Sequence, residues 1–172
     1  MKLPSALGPI RRVSQIREYR DEPVPDSVVD ALLEVARWTG SSRNMQPWHF
    51  LMVSDRDHLR RIAELRSNIR WIAGVPMGIV IVFDPPGHDY DEGRLTERIL
   101  TGATMLGYGG GVGWFGDPEK ETAVKKMLGI PADKVTHQII AIGRPKSKDD
   151  PRPEGPKRGR KPLSELVHRD RW

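Results

Sequence analysis

An α+β or three-layer α/β domain is the fold class that this 172-residue chain predicts. Short apolar runs at 48–53, 78–83 and 138–143 read as strands, and the segments between them repeat apolar residues at helical spacing. Only three or four strands are interleaved with helices, there is no internal repeat, and the length suits one domain with a real core.

Each element follows from local pattern. Val28, Leu32, Val35 and Ala36, with Val29, Leu33 and Trp38 beside them, recur at helical spacing, and Asp26 or Ser27 is placed to cap the first free N–H groups. Residues 41–50, Ser-Ser-Arg-Asn-Met-Gln-Pro-Trp-His-Phe, carry a polar loop from this helix into a buried strand at 48–53. Its hydroxyl and amide side chains suit the edge of a heterocycle, and equally suit a helix cap and a turn. A polar helix at 57–66 packs through Leu59, Ile62, Ala63 and Leu65. Residues 78–83 are β-branched and end at Asp84-Pro-Pro-Gly87, which predicts an interior strand followed by a turn. A helix at 91–108 places Leu95, Ile99, Leu100, Ala103 and Leu106 on one stripe, where Gly102, Ala103 and Thr104 let another helix approach closely. Residues 107–116 contain six glycines in ten, which permits positive φ and close backbone approach to a flat ring. A helix at 118–128 ends at Gly129, a left-handed C-cap, and the last strand is 138–143.

Composition narrows the function. With no cysteine there is no disulfide, thiolate metal site or cysteine nucleophile, so redox chemistry requires a borrowed cofactor. The net charge is +5, yet residues 1–143 hold 18 Lys/Arg against 18 Asp/Glu, and the excess lies in 144–172, with 10 against 5. That tail is Pro-punctuated and lacks interleaved aromatics, which favours a small anionic ligand over nucleic acid. Leu163, Leu166, Val167 and Trp172 predict that the chain docks again after Pro162. The N-terminus does not form a signal h-region, and no apolar run approaches the ~20 residues of a membrane span, so a soluble cytoplasmic protein without membrane partners is expected. No metal site is expected. His49, His58, His88, His137 and His168 are scattered, and Asp91 and Glu92 suit the positive end of a helix. No serine lies in G-x-S-x-G, and the glycines of 107–116 follow a helix, which disfavours a dinucleotide fingerprint.

Several motifs occur in one order: Arg12-Val-Ser-Gln-Ile-Arg17-Glu-Tyr19, then Glu22-Pro-Val-Pro25, then Ser41-x-x-Asn44-x-Gln46-Pro47-Trp48, the glycine-rich segment and the basic tail. Over roughly residues 9–172 this string resembles the nitroreductase family of FMN-binding flavoproteins. The resemblance implies a three-layer α/β/α fold with a mixed, mostly antiparallel sheet, and an intertwined homodimer with two flavins at its interface. One domain would span 1–172, with 144–172 returning to the flavin site. It also implies NAD(P)H as donor and a small oxidised acceptor, a quinone or nitroaromatic, in ping-pong hydride transfer through FMN.

The family's site residues carry over position by position. Its Arg-Arg-Ser-x-Arg pattern aligns with Val13, Ser14, Gln15 and Arg17, so Arg17 matches directly. Arg12 reaches the phosphate by a small shift, with Ser14 or Gln15 as neutral donors. Ser41, Ser42 and Asn44 match the loop that pairs with the flavin's pyrimidine edge from the other subunit. Gly111, Gly113 or Gly116 offers an N–H to flavin N5, and Arg158, Arg160 and Lys161 return to the phosphate. No catalytic side chain is named. Other members of the family fragment flavins, dehalogenate or handle deazaflavins, and two further readings stand beside these: a flavin-sequestering protein without turnover, and a basic-tailed interaction module.

Overall fold

The structure, a computed structural model, describes residues 4–147 and 160–172. Among these residues, besides short 3-10 helices, nine α-helices and strands organise the fold: α1 (Gly8–Arg12), α2 (Asp26–Arg37), β1 (Trp48–Val53), α3 (Arg56–Glu64), β2 (Met77–Phe83), α4 (Asp89–Met105), β3 (Gly109–Trp114), α5 (Pro118–Leu128) and β4 (Gln138–Gly143). The strands lie in the order β1-β2-β4-β3, and every pair is antiparallel. A parallel bridge between Gln15 and Gly110 makes the sheet mixed and mostly antiparallel, as expected.

Strand alternation divides the core into two layers. Val80, Val82, Ile139 and Ala141 face a cluster that holds Leu59, Ile62, Ile72, Phe115 and Val124. Ile79, Ile81, Phe83, Ile140 and Ile142 face Leu32, Ala36, Leu95, Ile99 and Ala103 on the other side. Strands covered on both faces read as continuous apolar runs, and each large aliphatic side chain so buried contributes roughly 1.5–3 kcal/mol. The result is the expected three-layer α/β/α arrangement. Gly102 lets α2 and α4 approach, since a Cβ there would stand 3.1 Å from Leu32 Cδ2.

Several local expectations are corrected. Asp26 and Ser27 do not cap α2: Pro25 occupies the N-cap, Asp26 is already helical, and no side chain accepts there. β1 is an edge strand, paired only with β2 and buried at its two ends, because nothing described lies beyond it. α4 begins at Asp89, earlier than its apolar stripe, and stops at Met105. Much of the glycine-rich segment is strand β3. Residues after Pro162 do not dock on this chain: a short 3-10 turn at Leu163–Glu165 is exposed, Leu163 is 70% accessible and Trp172 99%. Two caps agree with general rules. Asp117 accepts from Lys120 N at 3.0 Å at the start of α5, and Gly129 ends it at φ 68°.

Candidate functional site

The loop after α2 is held in an unusual shape. Arg37 and the Trp38 indole both donate to Glu34 at the helix end, and these bonds hold the Glu34 carboxyl down at about 2. Arg94 then donates to Gly40 O at 2.5 Å, and Ser41 Oγ accepts from Gln46 N at 2.9 Å. Between these anchors Arg43, Asn44 and Gln46 take φ of 51°, 56° and 48°. Left-handed backbone is uncommon outside glycine, and three such residues among four must be imposed by their surroundings. Ser41 therefore shapes the turn. The side chains of Ser42 and Asn44 make no hydrogen bond among the described residues. Ser41 and Ser42 open on a cavity of about 530 Å³ that His88, Asp89, Tyr90 and Arg94 also line.

A second cleft, about 670 Å³, lies across the molecule's N-terminal segment. Arg12, Ser14, Ile16 and Arg20 line one wall, with Thr104, Tyr108, Gly109 and Arg144 opposite. The Arg144 guanidinium sits 4.6 Å above the Tyr108 ring and pairs with Glu22 at 3.1 Å. Arg12 and Ser14 are thus brought together. Gln15 and Arg17 are not, because the extended segment alternates its side chains. Gln15 turns to β3 and bonds the backbone of Val112. Arg17 is exposed outside the cleft.

The three candidate glycines differ. Gly110 O accepts from Ile16 N, and Val112 N–H and C=O both face Gln15, so ladder alternation turns Gly111 and Gly113 N–H toward β4. Those two N–H groups are therefore engaged within the sheet and are not presented to a ring. Gly116 lies past the strand at φ 109°, against the Arg66 guanidinium. In the tail, Arg160 and Lys161 are exposed, whereas Arg158 lies outside the described residues.

One constellation had no sequence signal. Asp89, Glu92 and His137 offer ligand atoms within 4.8 Å of one another. Asp89 and Glu92 share the first turn of α4, but His137 comes 45 residues after Glu92, so no short spacing revealed it. Burial pushes the Glu92 carboxyl upward, with the His137 hydrogen bond opposing. Among the described residues no helix is long and apolar enough to cross a membrane.

Residues 10–80 match the model of the Nitroreductase family. A putative NADH dehydrogenase/NAD(P)H nitroreductase of Archaeoglobus fulgidus is 32% identical over 143 residues, covering 78% of this chain and 82% of that protein. A protein of the same description from Methanothermobacter thermautotrophicus is 26% identical over 146 residues, covering 81% and 76%. The fold matches the crystal structure of a putative NADH dehydrogenase/NAD(P)H nitroreductase from Parabacteroides distasonis with a TM-score of 0.85, over 99% of this chain and 100% of that one, at 24% identity. An FMN-dependent nitroreductase of Clostridium difficile superposes with a TM-score of 0.81 over 96% and 99%, at 21% identity. With the Archaeoglobus fulgidus protein 32% identical over more than two thirds of both chains, this chain belongs to the nitroreductase family.

Proposed function

We propose that the protein is an FMN-dependent oxidoreductase that takes hydride from NADH or NADPH and delivers it to a small oxidised acceptor such as a quinone or nitroaromatic. The names of its relatives support the donor and the reaction class, and the FMN-dependent neighbour supports the cofactor. The observation that carries the reading is the loop at 41–46. Its strained backbone holds Ser42 and Asn44 with hydroxyl and amide groups unused among the described residues, as recognition of a heterocycle's edge requires.

The donor sets fit FMN in two parts. Ser42 and Asn44 would pair with the pyrimidine edge. Arg17, Arg160 and Lys161, exposed and without described partners, would balance the phosphate, with Arg12 and Ser14 adjoining. Arg158 belongs to the same proposed set, and Gly116 is the remaining proposed N–H donor toward the ring. Ser41–Ser42 and Arg12–Ser14 line different cavities of one chain. A homodimer in which one protomer's loop meets the other's arginines would join them. Bound there, FMN would supply the two-electron chemistry that no cysteine of this chain provides. The protein's part is to orient the ring and to neutralise negative charge beside it.

An absorption spectrum from about 300 to 550 nm, followed anaerobically on addition of NADH and NADPH, tests this. Flavin bands that bleach and then recover with menadione are expected. A colourless protein that takes up no FMN overturns the reading, and stoichiometric flavin that neither nicotinamide bleaches makes the protein a flavin binder without turnover.

A further inference from the structure

We propose that Asp89, Glu92 and His137 bind one divalent transition-metal ion, of the kind that accepts mixed imidazole and carboxylate donors, such as Zn²⁺ or Co²⁺. His137 Nδ1 stands 2.8 Å from Glu92 Oε2 and 4.0 Å from Asp89 Oδ1. Ligand atoms around a tetrahedral ion with bonds of about 2.0–2.2 Å lie roughly 3.4 Å apart, so small side-chain rotations bring all three to that spacing.

A second observation points to an occupant. The Glu92 side chain is 5% exposed, and its other oxygen, Oε1, is buried and makes no hydrogen bond of good geometry among the described residues, the neighbouring Gln138 amide donating to Thr96 Oγ1 at 2.6 Å instead. A buried carboxylate oxygen lacking a donor is unfavourable and is rare in folded proteins. A cation held by both oxygens of Glu92 satisfies it. The imidazole selects a borderline ion over Mg²⁺ or Ca²⁺, which take oxygen donors.

The surroundings hold these donors in place. The Trp114 indole stacks on the His137 ring at 5.2 Å and 27°, and His137 O accepts from Phe115 N at 2.8 Å. Thr136, the preceding residue, is fixed through Glu121 and the Ile81 carbonyl. Asp89, with its side chain 91% exposed, is free to swing inward. The positive end of the α4 dipole opposes a cation, and two formal carboxylate charges outweigh its half charge. His137 also borders a cavity of about 190 Å³, which leaves one coordination position to water or a small ligand. Asp89 also lines the cavity on which Ser41 and Ser42 open, so this carboxylate borders the proposed flavin edge, whereas His137 does not.

Calorimetric titration of tag-free, chelator-treated full-length protein with Zn²⁺, and visible spectra with Co²⁺, test the proposal. One equivalent per chain, with Co²⁺ bands of a four- or five-coordinate ion, is expected. Asp89→Asn, at an exposed position that leaves folding intact, and His137→Gln should each weaken binding about tenfold or more. Absence of a one-to-one site in the wild type overturns the proposal. So does an affinity unchanged in Asp89→Asn and His137→Gln, which would leave Glu92 and His137 a hydrogen-bonded pair only.

Discussion

The side-chain amide of Gln15 pairs with the backbone of Val112 as a strand neighbour would, its Nε2 donating to Val112 O at 2.8 Å and its Oε1 accepting from Val112 N at 3.0 Å. Together with the Ile16 N–H bonded to Gly110 O, it closes the outer edge of β3. Replacing Gln15 with Glu removes the donor and sets a carboxylate against a carbonyl. Stability should fall by about 1–2 kcal/mol, read as a melting point lower by roughly 2–8 °C with faster hydrogen exchange at Val112.

Gly111→Ala should do more damage. The added methyl would collide with Ile16 O and stand 2.9 Å from Trp71 Cη2. Backbone cannot rotate away as a side chain can, so the cost should reach or exceed the roughly 1–3 kcal/mol of ordinary overpacking. Chemical denaturation measures it, and a loss below that of Gln15→Glu would contradict the contact.

Asn44→Gly separates binding from folding. Glycine adopts φ 56° without strain, so the melting point should hold or rise while the amide is lost. FMN affinity should fall about tenfold, measured by fluorescence quenching. Arg160→Ala should weaken FMN without altering the melting point, since Arg160 is exposed. If neither variant changes affinity, the flavin lies elsewhere.

The cap at Asp117 gives a pH signature. The Lys120 ammonium first, and the Lys120 N–H second, hold the Asp117 carboxyl below the usual aspartate range. A carboxyl lowered on folding stabilises above its unfolded value, near 3.9, and that contribution fades as pH falls through the folded value. The melting-point difference between wild type and Asp117→Asn should therefore be constant near neutrality and shrink below about pH 4. A difference that stays the same at pH 3 would remove the carboxylate from the account.

What the chain disclosed beforehand follows physical lines. β2 and β4 were legible because Ile79 to Phe83 and Ile139 to Ile142 are buried on both faces, and α3 because Leu59 and Ile62 share a stripe. Gly129 was legible because only glycine takes φ 68° freely. β3 was not, since Gly109, Gly110, Gly111 and Gly113 have little intrinsic preference for a strand and owe their place to what packs around them. The loop at Ser42 and Asn44 was readable as a motif, but its left-handed backbone was not. Gln15 was expected to face a ligand, and its bond to Val112 depends on a register spanning nearly a hundred residues. The approach of His137 to Glu92 is likewise tertiary.

The thinness of β3 limits how this protein can drift in sequence. At Gly109 a methyl would press on Ile16 and Pro145, and at Gly113 on Ile72 and Ile139. The slot is one backbone wide, and its width is kept by residues far away in the chain. A lineage that gains a side chain in the strand must lose volume at 16, 72 or 139 at the same time. Substitutions in this part of the protein should therefore be inherited as coupled pairs, with the glycines as the gauge against which their neighbours are sized.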